Sequence, residues 1–185
     1  MKKTCLLSLL LSLVIVLPSA LHAQATAAAT RGGISQVGVA YTVSNEDQYI
    51  GKYLQGMTFY GTFDLNNHIG VEGNVHLVSL FKSYYSYKES SYDAGLRYVL
   101  HYRRFHPYGK ALVGIGHATI QPPDYIVGGS TPGTYFLWAL GTGLDYSIND
   151  KINARADFEY QRWPSFPPHG LTPPLFNVGV AYRFR

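Results

Sequence analysis

The 185-residue sequence predicts an all-β fold, an up-and-down antiparallel transmembrane β-barrel of about eight strands. Apolar and polar residues alternate with a period of two through most of the chain, and no segment shows a helical period. Each alternating segment has roughly the 9–11 residues that a tilted strand needs to cross a bilayer. Short and long connections alternate, which places all short turns at one end of a barrel.

The N-terminal residues are typical of a secretory signal peptide. Lys2 and Lys3 precede the apolar run CLLSLLLSLVIVLP, and the small residues of SALHAQA follow. This run is too short and wrongly flanked for a membrane-spanning helix. Cleavage after Ala23 and cleavage after Ala25 both fit the pattern. We therefore expect a signal peptide over 1–23, a flexible lead-in over 24–32 and a barrel domain over 33–185.

Composition excludes some classes of protein. Cys5, the one cysteine, lies in the predicted signal peptide, so the exported chain cannot depend on disulfides. The formal charge of +4 loses two units with Lys2 and Lys3. Such a small charge argues against a nucleic-acid partner, which requires a concentrated basic face. The 16 Tyr and 9 Phe suggest many rings that keep one end in water.

The first three strands are predicted between residues 34 and 77, with Asn66-Asn67 as the tight turn before the third. Residues between the apolar positions are small or polar, among them Glu72 and His76. The apolar sets are Val37, Val39, Tyr41 and Val43; Met57, Phe59, Phe63 and Leu65; and Ile69, Val71, Val75 and Leu77.

The fourth and fifth strands follow the tyrosine-rich stretch KSYYSYKESS, which we predict as part of a loop over 81–91. A turn over 104–107 separates them. In the fifth strand, YGKALVGIGHA, both registers carry glycine and aliphatic residues, and we take Ala111, Val113 and Ile115 as the apolar side. The fourth strand has Asp93 and Arg97 on its polar side and the apolar set Tyr92, Ala94, Leu96, Tyr98, Leu100 and Tyr102.

The last three strands complete the barrel. Asn149-Asp150 forms the third short turn, and long loops are predicted near 45–53, 118–133 and 163–174 as well as 81–91. The sixth and seventh apolar sets are Phe136, Trp138, Leu140, Leu144, Tyr146 and Ile148, then Ile152, Ala154, Ala156, Phe158 and Tyr160. The eighth is Phe176, Val178, Val180, Tyr182 and Phe184.

The charged residues on the polar side indicate which face points outward. A soluble ligand-binding barrel such as a lipocalin packs its apolar face inward, whereas a membrane barrel turns it toward lipid. Charges such as Glu72, Arg97 and Arg155 occupy mid-strand positions on the polar face. An unpaired charge in an apolar cavity would cost several kcal/mol. The pattern therefore favours the membrane barrel.

Aromatic residues near the strand ends predict two belts at headgroup depth, as in a spanning barrel. The alternative is that β-propensity alone enriches these strands in aromatic residues. The residues that we assign to the belts are Tyr102, Tyr108, Trp138, Tyr146, Tyr160 and Trp163.

The chain ends LFNVGVAYRFR, and this last strand carries the most specific resemblance. With the alternation and the loop pattern, it makes the whole exported chain similar to the small outer-membrane β-barrel family of the OmpA transmembrane domain and OmpX. In that family the assembly machinery reads the last strand as a β-signal. The final residue is usually aromatic there, whereas Arg185 follows Phe184 here. The resemblance assigns the signal to Phe176, Val178, Val180, Tyr182 and Phe184.

The resemblance implies a place in the bacterial outer membrane and partners to match. Outer-membrane lipid surrounds such a barrel, and the outer-membrane assembly machinery and periplasmic chaperones act during its biogenesis. We expect a monomer without cofactor.

The lumen of an eight-stranded barrel is just wide enough for side chains to fill it. Because acids and bases both point inward, we expect ion pairs instead of an open channel, as the resemblance also implies. The alternative is that these charges are hydrated and unpaired. The predicted lumen network is Glu72, Arg97, Arg155, Asp157, Glu159 and Arg183.

These features predict a non-enzymatic protein with a structural, envelope or surface-interaction role. A small passive pore or ligand-binding barrel is the main alternative, and a lipid-modifying enzyme or a soluble periplasmic barrel is less favoured. No spacing joins the loop residues His117, Ser130, Ser165 and His169 into a catalytic triad. His68, His76, His101 and His106 show no metal-ligand spacing either, so no metal is expected.

Overall fold

The structure is a computed structural model that describes residues 35–46, 52–80, 86–121, 133–167 and 169–184. The predicted signal peptide and lead-in lie outside these residues. The described part contains eight strands. They are β1 (Ser35–Glu46), β2 (Lys52–Asp64), β3 (Ile69–Ser79), β4 (Ser86–Val99), β5 (Phe105–Gln121), β6 (Gly133–Ser147), β7 (Ile152–Arg162) and β8 (Pro174–Phe184).

The strands form a closed up-and-down barrel, so the predicted fold is confirmed. Each strand pairs antiparallel with the next, and β8 returns to β1 with Val180 opposite Val39. Closure leaves no strand edge with unpaired backbone groups, which is what a hydrocarbon environment requires. Within the described ranges, no helix is long and apolar enough to cross a membrane.

Two of the predicted short turns have the same side-chain chemistry. Asn66 Oδ1 accepts from the backbone N–H groups of His68 (2.9 Å) and Ile69 (2.8 Å). Asn149 Oδ1 accepts at 2.8 Å from the N–H groups two and three residues later. Asparagine therefore satisfies the backbone donors of both turns, as it does in Asx-turns.

The third predicted short turn, over 104–107, was misplaced. Phe105–Pro107 belongs to β5, and the chain reverses at Arg103, which has a positive φ of 56°. Tyr102 and Phe105 exchange backbone hydrogen bonds of 2.8 and 2.9 Å across this reversal. The physical reason is that these two bonds close the turn at Arg103 and Arg104, so that β5 starts at Phe105 and already contains the proline.

The strands also extend into the segments predicted as long loops. β4 includes residues 86–91, although the sequence suggested a loop over 81–91. Here Lys88 is exposed on the outer face and Tyr87 is buried inside, the reverse of the mid-strand pattern. Such a reversal is expected where a strand extends beyond the hydrocarbon, because the outer face there no longer has to be apolar.

The faces of the barrel are those predicted for a membrane protein. On the outer face Leu140 is 55% and Val180 is 50% exposed, whereas Glu72 is 1% and Arg155 is 3% exposed inside. The lipocalin-like alternative required the opposite arrangement and is wrong. On β5 the apolar residues Ala111, Val113 and Ile115 lie on the outer face, as predicted.

Two of the six residues assigned to the aromatic belts lie inside the barrel instead. Tyr108 is 3% exposed and its hydroxyl donates to Asp157 (2.8 Å). Trp163 is fully buried and its indole N–H donates to Gln161 (3.0 Å). Each ring has a polar atom with an internal partner, which explains its inward position. The other four, which are exposed or half-buried, are Tyr102, Trp138, Tyr146 and Tyr160.

Candidate functional site

The inward positions of five consecutive strands bring charged side chains together in the lumen. Glu72 comes from β3, Arg97 from β4, Lys110 from β5, Asp145 from β6 and Arg155 from β7. Arg97 lies directly opposite Lys110, and Asp145 directly opposite Arg155, in their ladders. Because side chains alternate across a strand, the register alone points all five into the same space.

Glu72 is the anion that most of the lumen cations share. Its Oε2 atom lies 3.0 Å from Nη1 of Arg155 and 3.3 Å from Nη1 of Arg97, and its Oε1 atom lies 3.0 Å from Nζ of Lys110. Asp145 completes the group at 2.7 Å from Nε of Arg155 and 2.8 Å from Nη2 of Arg97. Each of these charges is desolvated but paired, which is the condition for burying it.

Two tyrosines cover the guanidinium groups of this network. The Arg155 carbon Cζ lies 4.0 Å from the ring centroid of Tyr60 and 4.9 Å from that of Tyr108. Arg97 lies 4.3 Å from the Tyr108 ring. A Cβ atom at Gly143 would overlap the Tyr108 ring, so glycine there makes room for it. The rings stabilise the cations through cation–π contacts and fill the lumen.

The half of the network nearer the long loops is centred on Lys110. Its ammonium group lies 2.8 Å from Oε2 of Glu159 and 3.1 Å from Oδ1 of Asp157. Asn177 donates to the same Asp157 oxygen at 2.9 Å. Lys110 therefore links this half to Glu72 in the other half.

Among the described residues, an apolar cluster fills the lumen at the long-loop end. Trp163 and Leu171 exchange backbone hydrogen bonds of 2.8 and 3.1 Å, which fold the intervening loop inward. Inward apolar residues of the strand ends pack beneath this loop. The cluster consists of Leu54, Val78, Tyr87, Ala118, Leu137, Trp163, Phe166 and Leu171.

The structure brings five of the six predicted network residues together and leaves the sixth apart. Arg183 is half-buried near the short turns, where Nη2 donates to Ser147 and Asn153, both at 2.9 Å. The carboxylates of the network pair with Arg97, Lys110 and Arg155 and not with Arg183. The five that meet are Glu72, Arg97, Arg155, Asp157 and Glu159.

The predicted network omitted Asp93 and Asp145, and it also missed Lys110, Tyr108 and His76, although a signal for these last three was present. Lys110 and Tyr108 lie at positions that alternate with the correctly assigned apolar residues Ala111 and Val113, so the period of two places both inside. His76 was assigned to the polar face of β3 but not to the network. The alternation alone could have identified all three.

The predicted assembly signal forms one outward row on β8. All five of its residues are exposed, and the row lies beside the outward row of β1. Its recognition by an assembly machinery stays a prediction. The row consists of Phe176, Val178, Val180, Tyr182 and Phe184.

The residues weighed as catalytic candidates, of which His117 lies in β5, share no hydrogen bond with one another within the described chain. His117 Nδ1 lies 3.2 Å from the hydroxyl of Thr134, and the carbonyl oxygen of His169 accepts from Arg162 (3.2 Å). Ser130 lies outside the described residues. The arrangement of the lumen suits a closed, ion-paired interior.

Comparisons with known proteins agree with this geometry. The sequence profile described as outer membrane protein beta-barrel domain matches residues 9–184. The comparison with curated proteins found no significant match.

Several solved structures share the fold. Ail, the attachment invasion locus protein of Yersinia pestis, solved with the heparin analogue sucrose octasulfate, is 24% identical (TM-score 0.60) over 82% of this chain and 99% of its own. Neisserial surface protein A is 15% identical (TM-score 0.67) over 83% and 97%. The N-terminal barrel of Pseudomonas aeruginosa OprF is 16% identical (TM-score 0.51) over 80% and 97%.

At these identities the solved structures support the fold alone, and the match of the family profile over nearly the whole chain supports the family. An outward apolar face, an enclosed charged interior and a closed ring of eight antiparallel strands are the physical features of a barrel that crosses the bacterial outer membrane. The chain belongs to the outer membrane protein β-barrel domain family.

Proposed function

We propose that the protein is a closed, non-enzymatic barrel that contributes to envelope structure and presents its long-loop end for surface contacts. The ion-paired lumen carries this proposal. Glu72, Lys110 and Arg155 cross-link strands from opposite sides of the barrel, and the apolar cluster around Trp163 lies above them. A lumen filled in this way supports a structural role better than the alternative of a passive pore.

The surface role is supported by the inward-folded loop after β7. Trp163 and Phe166 fix this loop from below, while Pro164, Ser165 and His169 remain exposed at the rim. Exposed loops on a rigid scaffold are where binding residues concentrate in proteins. The likeness to Ail, which was solved with a heparin analogue, is consistent with a rim that contacts other surfaces.

The remaining parts of the proposal concern export and partners. We propose that the N-terminal signal peptide directs export and that the β8 row is read by the outer-membrane assembly machinery, with periplasmic chaperones acting before insertion. The inserted protein is a monomer surrounded by outer-membrane lipid. It has no nucleic-acid partner, which the small net charge supports.

Conductance across a planar bilayer tests the closed lumen. The refolded full chain is expected to give no single-channel steps, because paired side chains and the apolar cluster fill the path. The same preparation after heat denaturation controls for steps caused by detergent. Reproducible steps from the folded protein alone would favour the pore. A change in the mass of lipid A on expression would favour an enzyme.

A further inference from the structure

We propose that the lumen contains a site for one divalent transition-metal ion of the zinc class, bound by His76 Nε2, Asp93 Oδ2 and Glu159 Oε1. This site goes beyond the envelope role and does not depend on it. The ligands come from β3, β4 and β7, and all three side chains are buried. Their ligand atoms lie within 4.8 Å of one another. Imidazole nitrogen with carboxylate oxygen is a ligand set that zinc accepts.

The hydrogen bonds around Thr58 determine which ring nitrogen of His76 carries a proton. Asn177 donates from Nδ2 to Asp157, so its Oδ1 is an acceptor. Thr42 and Thr58 have one hydroxyl hydrogen each. The hydrogen bond between the two hydroxyls, 2.6 Å long, uses one of these hydrogens. The hydrogen bond to Asn177 Oδ1, which lies 2.8 Å from Thr42 and 3.2 Å from Thr58, uses the other. Whichever threonine donates to Asn177, no hydrogen of Thr58 remains for His76. Thr58 therefore accepts from Nδ1–H of His76 at 2.6 Å.

With Nδ1 as the donor, Nε2 of His76 faces two carboxylate oxygens. It lies 3.3 Å from Oδ2 of Asp93 and 3.4 Å from Oε1 of Glu159. The lone pair of a neutral imidazole would be repelled by two ionised carboxylates, so the three atoms need either a shared proton or a metal ion between them. A proton on Nε2, a proton on one carboxylate or a metal ion meets this need, and three features favour the ion.

The first feature is the spacing of the ligand atoms. Zinc bonds of about 2.0–2.2 Å in a tetrahedral site place neighbouring ligand atoms about 3.3–3.6 Å apart. The two separations from His76 Nε2, at 3.3 and 3.4 Å, have this length. The two carboxylate oxygens lie within 4.8 Å of each other, and a bound ion would draw them closer.

The second feature concerns the polar atom of each ligand side chain that would not bind the metal. In each ligand this second atom has a polar contact with a different neighbouring residue. Such outer contacts orient the ligands of metal sites, and a metal-binding histidine donates from its other ring nitrogen. Gln161 also donates to Glu159 Oε1 at 2.8 Å. The three holding contacts are Asn74 to Asp93 Oδ1 (2.9 Å), Lys110 to Glu159 Oε2 (2.8 Å) and His76 Nδ1 to Thr58.

The third feature is the charge of the network. Among the described residues, its ion pairs join five carboxylates to three permanent cations. A divalent ion with neutral His76 brings this count to zero, whereas a single proton, on either His76 or a carboxylate, leaves one buried negative charge. The carboxylates are Glu72, Asp93, Asp145, Asp157 and Glu159, and the cations are Arg97, Lys110 and Arg155.

Metal content after refolding tests the site. The full chain is refolded in detergent with Zn²⁺, desalted, and analysed by mass spectrometry for zinc per chain. We expect one zinc per folded chain. Asp93→Asn and Glu159→Gln should each weaken zinc affinity by at least about tenfold, the smallest loss typical even for outer-shell changes. Asp64→Asn removes a half-buried carboxylate outside the counted network and should retain zinc.

A second readout separates the site from adventitious binding at exposed histidines. Co²⁺ in place of Zn²⁺ should give the visible absorption of tetrahedral cobalt in wild type and in His101→Gln, but not in His76→Gln. The unfolding temperature of the wild type should rise with zinc concentration, because the unfolded chain has no site.

Two outcomes would overturn the proposal. Wild type that retains far less than one zinc per chain would show that protons alone, and no metal ion, satisfy the three ligand atoms. Stoichiometric zinc that is unaffected by Asp93→Asn and by His76→Gln would place the ion elsewhere. The wild-type measurement is decisive alone, even if a variant does not fold.

Discussion

Replacing Lys110 with methionine is expected to lower the free energy of unfolding by about 3–5 kcal/mol, the cost of removing one partner of a buried ion pair. The Lys110 ammonium group lies within 3.1 Å of Glu72, Asp157 and Glu159. Methionine fills a similar volume without charge, so three buried carboxylates lose a shared cation. Urea unfolding of the protein in lipid vesicles, followed by tryptophan fluorescence, measures the change.

The matched control for this variant is Lys151→Met. Lys151 lies exposed in the short turn before β7, and the same substitution there should change the free energy of unfolding by no more than about 0.5 kcal/mol. Equal effects of the two variants would mean that water hydrates the lumen charges and that Lys110 stabilises nothing by pairing.

Replacing Val113 with arginine is expected to cost about 2–4 kcal/mol when the barrel is in a bilayer. Val113 lies at the middle of β5 and its side chain is 58% exposed on the outer face. If that face contacts hydrocarbon, the guanidinium must be buried in lipid or must deform the bilayer. Unfolding in vesicles measures this cost.

Ile148→Arg provides the comparison for Val113→Arg. Ile148 is also an exposed aliphatic residue, but it lies in a short turn at the end of the barrel. Arginine near the interface should cost no more than about 1 kcal/mol. A similar small cost at both positions would indicate that water, and not lipid, surrounds the middle of the barrel.

The strands and their faces were predictable because each side of the barrel wall has one environment along most of its length. A period of two then reports burial directly, as it does for Leu140 and Val180 outside and for Glu72 and Arg155 inside. The asparagine turns were predictable for a similarly local reason, since one side chain satisfies the backbone donors. In both cases the deciding interaction is local in sequence.

The errors arise where a long-range contact decides. The Tyr108 hydroxyl donates to Asp157, an acceptor that only the closed barrel provides. Trp163 donates to the nearby Gln161, but its ring packs in an apolar cluster drawn from several strands. Lys110 lies in a strand where both registers contain glycine and aliphatic residues, which hides its importance. Of the proposed metal ligands, Glu159 meets His76 and Asp93 only across the lumen, because β7 is not a neighbour of β3 or β4.

The most direct test of an outward face in hydrocarbon is the collision accessibility of nitroxide labels on β8. Single cysteines at Val178 and Val180, in a Cys5→Ser background, are labelled in bilayers beside a control at Asn67 in a short turn. We expect the strand labels to collide mainly with oxygen, which concentrates in lipid, and the turn label mainly with a water-soluble nickel chelate. Strand labels that collide mainly with the nickel chelate would show that water, and not hydrocarbon, surrounds the outward face of β8.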